Sequence, residues 1–265
     1  MLDATVHMVV KNEDRWVWFA LMAVKDSVSR ILVTDTGSTD GTIDAIRSIR
    51  DKKISLTRQK TDDPKEIVDV RGSQIQKTDT PWIFIVDGDE IWPAHQLEIL
   101  DAKMQSVASS VNGIVVHDKR CIGDVFHILP ESYGRYMFKG RRGHLNLRLI
   151  RNIDGLDIRG EYPNEAFVDA EDRVLNDQDD RVEILDVWYL HTSHLPRSTS
   201  DVQVLNRQRK QKTELGMKID QRILPEAFLL ERPPTIPSPF TKRPFLYTLK
   251  AAAITPIRRA KQLIT

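Results

Sequence analysis

Residues 82–90 read Trp-Ile-Phe-Ile-Val-Asp-Gly-Asp-Glu and place three carboxylates within four residues, directly after a short apolar run. The run is rich in β-branched and aromatic residues, which predicts a fully buried strand. In an open α/β sheet, ligands bind at the carboxyl ends of the strands, where Asp87, Asp89 and Glu90 would stand. Buried carboxylates repel one another and lose hydration, and Mg²⁺ or Mn²⁺ would relieve both effects. The alternative is an exposed turn whose acids remain hydrated.

The composition is that of an ordinary globular protein of one large domain, with 265 residues, 40% apolar and 29% charged. The single cysteine, Cys121, excludes an intramolecular disulfide and argues against a cysteine-rich zinc site. Charged residues between Lys11 and Arg15 interrupt the first apolar segment, so no signal peptide is predicted. No apolar run is long enough to span a bilayer, and we expect a cytoplasmic protein.

Strand and helix patterns alternate through the first hundred residues. The predicted strands are Thr5–Val10, Arg30–Thr34, Lys53–Thr57 and Trp82–Val86, and the predicted helices are Glu13–Lys25, a helix through Ile43, Ile46 and Ile49, Pro64–Lys77, and one that begins at Pro93. This alternation predicts an α/β fold with a mainly parallel sheet and helices on both faces. The loops Asp35–Gly41 and Asp87–Glu90 would then lie at the same edge of that sheet.

The second half is less regular. Its predicted strands are Gly113–His117, Leu145–Arg151 and Val182–His191, its predicted helix is Thr199–Leu215, and a Gly- and Arg-rich stretch covers Tyr133–Gly143. The residues from Glu231 to Pro239 are typical of an extended linker. We therefore divide the chain into a regular first half, residues 1–118, a less regular second half of the same domain, residues 119–230, and a linker with a basic extension, residues 231–265.

Four segments carry a resemblance to a known family. They are Val10-Lys-Asn-Glu, Val33-Thr-Asp-Thr-Gly-Ser-Thr-Asp-Gly-Thr, Arg71, and Asp87-Gly-Asp-Glu at the place of an Asp-x-Asp motif. In order and spacing they resemble the family 2 glycosyltransferases of the GT-A (Rossmann-like) fold over roughly residues 5–95. The resemblance implies a metal-dependent, inverting enzyme that moves a sugar, hexosyl in type, from a UDP- or GDP-linked donor to a saccharide, lipid-linked or protein acceptor.

The resemblance also implies roles for residues of the first half. Asp89 is the expected ligand of Mn²⁺ or Mg²⁺, and Asp87 would contact the metal or the ribose. Asp35 would accept hydrogen bonds from the base or ribose, and Arg71 would lie near the base or diphosphate. Thr36 stands where many members have a second acid, which leaves the base of the nucleotide open.

Further residues complete the expected donor site. Asn12 and Glu13 would order the first loop, with Glu13 an optional contact to the base. Gly88 would let the backbone approach the ligand closely. Asp40 is expected to cap a helix rather than to contact the ligand.

The general base is expected in the second half, because the acceptor hydroxyl must lose a proton as it attacks. Gly160-Glu-Tyr-Pro-Asn-Glu resembles a family segment that ends in His-Glu, which makes Glu165 the first candidate and Glu161 the second. The alternative is that both are surface acids. The segment Trp188-Tyr-Leu-His-Thr-Ser-His resembles one whose histidine can complete the metal site, and His191 fits better than His194. His144 is expected in a hydrated basic loop.

Two other functions remain open at this point. A non-catalytic nucleotide-sugar-binding module could keep the donor loops without the acceptor chemistry. A sugar-phosphate nucleotidyltransferase has similar acidic metal loops, but such enzymes usually begin with a Gly-rich phosphate loop, and none follows Thr5–Val10.

The last 34 residues differ in charge from the rest. From Arg232 to Thr265 there are seven basic residues and no acidic ones, so the preceding residues carry −6 within a chain of net charge +1. Interleaved apolar residues predict attachment to an anionic membrane surface, for example the inner face of a membrane, and the alternative is a helix packed on the acidic body. Pro256 is expected to interrupt a continuous helix. No aromatic-rich basic platform accompanies the tail, which argues against nucleic-acid binding.

Overall fold

The computed structural model describes residues 1–61, 63, 65–200 and 213–262. The helices are α1 (Val17–Val24), α2 (Thr42–Ser48), α3 (Glu66–Gln76), α4 (Ala94–Ser106) and α5 (Phe245–Gln262). The strands are β1 (Leu2–Val10), β2 (Val28–Asp35), β3 (Ile54–Arg58), β4 (Trp82–Ile85), β5 (Glu90–Ile91), β6 (Gly113–Ile122), β7 (Asp124–Ile128), β8 (Tyr136–Phe138), β9 (Arg141–Gly143), β10 (Leu145–Arg151), β11 (Asp157–Arg159), β12 (Ala166–Val168), β13 (Val182–His191) and β14 (Met217–Lys218).

One sheet holds ten of the described strands, in the order β14-β7-β6-β10-β4-β1-β2-β3, with β13 beside β6 and β5 beside β13. Strands β3, β2, β1 and β4 are parallel neighbours, as the alternation of strands and helices predicts. Strand β10 joins them antiparallel to β4 and pairs with β6 on its other side. The predicted α/β fold is therefore confirmed, and antiparallel strands extend its parallel half.

The sheet is covered on both faces, and β4 shows why its sequence is apolar throughout. Trp82 and Phe84 belong to the large core beneath α1, α2 and α4, whereas Ile83 and Ile85 belong to a second cluster beneath α3. Side chains alternate between the two faces of a strand, so a strand buried on both faces needs an uninterrupted apolar run. Phe84 packs edge-on against Trp92 at 4.8 Å between ring centroids.

The parallel register brings the predicted loops to one edge. Val10 pairs with Asp35 at the ends of β1 and β2, and His7 pairs with Ile85 near the end of β4. The loops that follow β1, β2 and β4 therefore leave the sheet at the same edge, as predicted. We call this the strand-end edge.

The strands predicted in the second half are present in the structure, and the first of them, Gly113–His117, continues to Ile122 in β6. Leu145–Arg151 and Val182–His191 are strands β10 and β13 with the predicted bounds. Residues 201–212, most of the predicted helix Thr199–Leu215, lie outside the described residues, and the described ends of that segment are not helical. The proposed boundary at residue 118 falls inside β6, because both halves contribute strands to the same sheet.

The C-terminal helix α5 packs on the body of the protein. Ala251 and Thr255 are buried, and the Thr255 hydroxyl accepts a hydrogen bond of 2.9 Å from the backbone N–H of Leu215. Arg258 pairs with the buried Glu214 at 3.2 Å. The expectation that Pro256 interrupts this helix is wrong: the helix continues through it. A proline removes only one backbone hydrogen bond, and contacts with the body on both sides of Pro256 hold the helix together.

No helix in the described part of the chain combines the length and the apolar character needed to cross a membrane.

His7 lies fully buried on β1, and its Nε2 atom is 2.6 Å from the hydroxyl of Thr78. Burial, and secondarily the charge of Arg71, lower the pKa of His7 to about 3. The unfolded chain takes up this proton near pH 6.5, whereas the folded protein does not. The free energy of unfolding should therefore fall as the pH drops from about 6.5 towards 3, by roughly 2 kcal/mol between pH 8 and pH 5.

We predict that His7→Gln removes this part of the pH dependence, measured by urea unfolding at pH 8 and pH 5. The control is His95→Gln, because His95 is exposed at the start of α4. The control should keep the wild-type dependence. Equal pH dependence in wild type and His7→Gln would contradict the prediction.

Candidate functional site

The carboxylates after β4 are buried within a network of charges, so the alternative of a hydrated turn is wrong. Asp89 is 2% exposed and Glu90 is fully buried, while the side chain of Asp87 is 31% exposed. The backbone N–H of Asp87 donates to a carboxylate oxygen of Glu90, which closes the loop on itself. Each of the three carboxylates meets a positive group from another part of the chain.

Arg148, on β10, reaches the loop from the neighbouring strand. Its guanidinium donates to Glu90, and the same nitrogen lies 3.4 Å from Asp87. Burial raises the pKa of Glu90 to about 7, against the opposing effect of Arg148. Arg148 also donates from Nε to the hydroxyl of the buried Tyr189, so its guanidinium is held in place from two sides.

Arg71, on α3, connects the loop to the first candidate base. One end of its guanidinium lies 3.6 Å from Asp87, and its Nε lies 3.4 Å from a carboxylate oxygen of Glu165. The side chains of Arg71 and Glu165 are 11% and 13% exposed. Three residues that the sequence analysis placed in one site, from three separate segments, are therefore in contact.

Arg197 balances the negative charge of Glu13 and Asp89. Its guanidinium contacts Glu13 and lies 3.4 Å from Asp89. Burial alone would lower the pKa of Arg197, but the negative charges of Glu13 and then Asp89 raise it above its usual value. The guanidinium therefore links the loop after β1 to the loop after β4.

His191, at the end of β13, lies between two buried carboxylates. Its Nε2 is 3.4 Å from Asp89, and its Nδ1 is 3.1 Å from Asp118. Burial would lower the pKa of His191, but Asp118 and then Asp89 raise it to about 10. Burial would raise the pKa of Asp118, but His191 and Arg120 hold it well below its usual range.

The residues around Asp89 could bind a divalent cation whose remaining coordination positions are filled by a phosphate-bearing ligand and water. No three His, Cys, Asp or Glu side chains in the described ranges are grouped so that they alone could hold a metal ion. Asp89 and His191 offer one oxygen and one nitrogen toward each other, and Asp118 fixes the ring through its other nitrogen, as second-sphere carboxylates do in metal sites. Mg²⁺ usually takes one or two protein ligands and fills its other positions with phosphate oxygens and water.

The first two loops hold one another through their own polar groups. The backbone N–H of Asn12 donates to the Ser38 hydroxyl, and the Asn12 side chain accepts from the N–H of Thr39, both at 2.8 Å. The backbone N–H of Glu13 donates to the hydroxyl of Thr42 at 2.7 Å. Asn12 and Glu13 therefore order the first loop, as expected.

The Asp35 carboxylate is buried and accepts backbone N–H groups of its own loop, from Gly37 at 3.3 Å and Ser38 at 3.1 Å. Its contact with a base or ribose remains a prediction. Gly41 rather than Asp40 occupies the capping position of α2, and the Asp40 carboxylate accepts from the N–H of Thr42 at 3.0 Å, so the expectation that Asp40 caps this helix is wrong by one residue.

Gly88 separates the two aspartates at a point where the chain passes close to β1. A Cβ atom added at Gly88 would lie 2.9 Å from Cγ1 of Val10 and 3.3 Å from Cγ of Glu13. Both distances are shorter than an ordinary van der Waals contact, so glycine lets the loop after β4 approach the loop after β1.

The model of the family described as glycosyl transferase family 2 matches residues 5–155, more than half of the chain. The chain belongs to glycosyltransferase family 2. No curated protein sequence matches it.

Solved structures of glycosyltransferases are similar to this chain at low sequence identity, and TarS 1-349 shares its fold. S. aureus TarS 1-349 in complex with UDP-GlcNAc is 15% identical, with a TM-score of 0.53 over 77% of this chain and 62% of that one. The glucosyl-3-phosphoglycerate synthase of Mycobacterium tuberculosis, in complex with Mn²⁺, UDP and glucosyl-3-phosphoglycerate, is 12% identical, with a TM-score of 0.45 over 71% of both chains. The mannosyltransferase PcManGT of Pyrobaculum calidifontis, in complex with GDP-Man and Mn²⁺, is 17% identical, with a TM-score of 0.45 over 72% of this chain and 57% of that one.

Two further residues of this family 2 chain are Glu161, the second candidate base, and His144, which was expected in a hydrated loop. Glu161 is mostly exposed and pairs with Lys65 on the surface at 2.9 Å, away from the contact between Arg71 and Glu165. His144 is buried rather than part of a hydrated loop. It lies directly before β10, whose first residues pack into the protein.

Three side chains of the charge network, namely Arg148, Arg197 and Asp118, are not indicated by the sequence patterns. Arg148 lies within a predicted strand, and Asp118 directly follows one. Arg197 lies in a polar segment that has no distinctive spacing. An isolated charged residue within an apolar strand, such as Arg148 in Leu145–Arg151, is the one signal that could have indicated a buried ion pair.

Proposed function

We propose that this protein is a metal-dependent glycosyltransferase that moves a sugar from a UDP- or GDP-linked donor to an acceptor hydroxyl, with inversion. The single observation that carries the proposal is the contact network at the strand-end edge. It joins Asp87 and Asp89 to Arg71, His191 and Glu165. The family indicates the class of reaction. The network contains groups suited to the leaving group of the donor and to the proton of the acceptor hydroxyl.

The donor half of the proposal concerns the leaving group. A bound Mn²⁺ or Mg²⁺ acts as a Lewis acid on a departing diphosphate. We assign Asp89 and His191 as its protein ligands and Asp87, in the Asp-x-Asp motif, as a contact to the metal or the ribose. Arg71 and Arg197 supply fixed positive charge beside the same carboxylates, where a diphosphate would otherwise be repelled. Asn12, Glu13, Asp35 and Gly88 shape the nucleotide side of the site.

The acceptor half concerns the proton of the attacking hydroxyl. Inversion by direct displacement needs one base on the acceptor side, and we assign this role to Glu165. Its carboxylate is nearly buried and stands one guanidinium away from Asp87. Glu161 is the weaker candidate, since its exposed ion pair with Lys65 lies on the surface.

We predict that Asp89→Ala lowers sugar transfer at least about a hundredfold, because stabilisation of the leaving group by several kcal/mol is lost. Transfer is measured with UDP- and GDP-sugars, Mn²⁺ and a panel of acceptors. The control is Glu98→Gln, an exposed acid on α4, which should keep wild-type turnover. Unchanged turnover in Asp89→Ala would sink the assignment. Donor binding by the wild type without hydrolysis or transfer would instead favour a non-catalytic nucleotide-sugar-binding module.

The two candidate bases can be separated by matched amide variants. Glu165→Gln should lower the rate of transfer by about 10² to 10⁴, the usual contribution of a general base, while it keeps donor binding measured by calorimetry. Glu161→Gln should transfer at close to the wild-type rate. The reverse order of the two rates would move the base to Glu161.

We further propose that the C-terminal extension attaches this protein peripherally to an anionic membrane surface on the cytoplasmic side. The face of α5 that is turned away from the body exposes apolar side chains, with Phe245 74% and Leu246 76% exposed, followed by Leu249 and Ile257. Basic residues of the same extension flank them, and no acid is present after Glu231. A helix with this composition is suited to the interface of a membrane with anionic lipids.

We predict that the full-length protein sediments with liposomes that contain anionic lipid, and that Phe245→Ser with Leu246→Ser weakens this about tenfold or more, because two apolar side chains no longer enter the interface. Ile99→Ser, which removes an exposed apolar residue from α4, is the control and should sediment like wild type. Equal sedimentation of the double variant and the wild type would contradict the proposal.

A further inference from the structure

The hairpin of β8 and β9 is a basic element outside the main sheet. Among the strands that the structure describes, its two strands pair only with each other, with Met137 opposite Arg142 and Phe138 opposite Arg141. Four of the eight residues from 135 to 142 are basic and none is acidic: Arg135, Lys139, Arg141 and Arg142. All four are exposed. We call this element the basic hairpin.

The cations of the basic hairpin have no acidic partners in the described part of the chain. None of the four forms an ion pair there, and Arg142 donates from Nε only to the carbonyl of Gly134, at 3.1 Å. By contrast, Arg71, Arg148 and Arg197 at the strand-end edge are each paired with carboxylates. Like charges held within eight residues repel one another, and a bound anion would remove that repulsion.

The topology places the basic hairpin beside the proposed transfer site. Strand β10 follows β9 after a single residue and runs antiparallel to β4, with Leu149 opposite Phe84. Since β4 ends at the strand-end edge, β10 begins there, and the hairpin that precedes it lies beyond that edge. Arg148, six residues after Arg142, already contacts Asp87 and Glu90.

The hairpin also lies on the side expected for the acceptor. In the sheet, β10 adjoins β4 on the side opposite to β1, β2 and β3, whose loops form the nucleotide half of the site. Residues that pair across two neighbouring strands lie on the same face, so Met137 and Arg142 share one face of the hairpin. This face combines a guanidinium group with an exposed apolar side chain.

We propose that the basic hairpin binds the acceptor and that the acceptor is a saccharide or polyol that carries phosphate groups. That the bound molecule is an acceptor rests on the proposed function. Guanidinium groups match the geometry of phosphate oxygens with two parallel hydrogen bonds, and three of the four cations are arginines. The four cations extend from the residue before β8, through the turn at Lys139, to β9, and this spread suits several phosphate groups, as in a chain of phosphodiester-linked units, better than one.

The first test measures binding without catalysis. The probe is linear inorganic polyphosphate, titrated into full-length wild type, Arg135→Gln with Arg142→Gln, and the control Arg47→Gln with Arg50→Gln. Arg47 and Arg50 are exposed near the end of α2, at the opposite edge of the sheet. We expect the hairpin variant to bind about tenfold more weakly at low salt, since two cation–phosphate contacts are lost, and the control to bind like wild type. The difference should shrink as salt is added.

Equal affinity in wild type and the hairpin variant would overturn the proposal. Equal weakening in the hairpin variant and the control would overturn it as well, because that result indicates general attraction to positive charge.

The second test identifies the acceptor class. Transfer to glycerol 3-phosphate and glucose 6-phosphate is compared with transfer to glycerol and glucose, and with transfer to a polymer of glycerol phosphate. We expect the phosphate-bearing acceptors to be preferred, the polymer most, and the hairpin variant to raise KM for them. Preference for the unphosphorylated acceptors would overturn the proposal.

Hydrolysis of the donor in the absence of acceptor reports separately on the proposed function. If the wild type neither hydrolyses the donor nor transfers the sugar, the proposed function fails. The polyphosphate titration then still decides whether the basic hairpin binds phosphate.

Discussion

Buried negative charge at the end of β4 is the constraint on which the rest of this structure depends. Asp89 and Glu90 are nearly inaccessible to water, and Asp87 stands beside them. Carboxylates in that position are costly unless they are paired, because burial removes their hydration and brings like charges together. Four cationic groups form ion pairs with these carboxylates and offset the loss of hydration. They come from α3, β10, β13 and the segment after β13, namely Arg71, Arg148, His191 and Arg197.

The same pairing explains how the two halves of the chain form one site. Arg71 links the loop after β4 to Glu165, Arg197 links it to Glu13, and His191 links it to Asp118. Each link spans a large separation in sequence: Asp118 lies on β6, Glu13 lies in the loop after β1, and Glu165 directly precedes β12. A metal ion held by Asp89 and His191 would displace the proton that His191 shares with Asp89, while Arg71, Arg148 and Arg197 would remain as fixed positive charge beside the diphosphate.

The sequence could predict the strands and the edge, but not the pairing. Trp82–Glu90 and Val182–His191 have apolar patterns that fix a strand locally, and the glycine between Asp87 and Asp89 indicates a close approach of the backbone. Arg148 meets Glu90 across 58 residues, His191 meets Asp118 across 73, and Arg197 meets Asp89 across 108. Such contacts depend on the order of strands in the sheet, which local periodicity does not determine. Pro256 was judged by local propensity alone, and packing of α5 on the body overrides it.

The central claim is that this charged edge binds a nucleoside diphosphate together with a divalent cation. Calorimetric titration of UDP and of GDP into the wild-type protein, with Mn²⁺ and then with EDTA, tests it most directly. The account predicts that one of the two nucleotides binds in the presence of Mn²⁺, and that EDTA weakens its binding at least about tenfold, because Asp87 and Asp89 then face the phosphates without a bridging cation. Binding of neither nucleotide in the presence of Mn²⁺ would contradict the account.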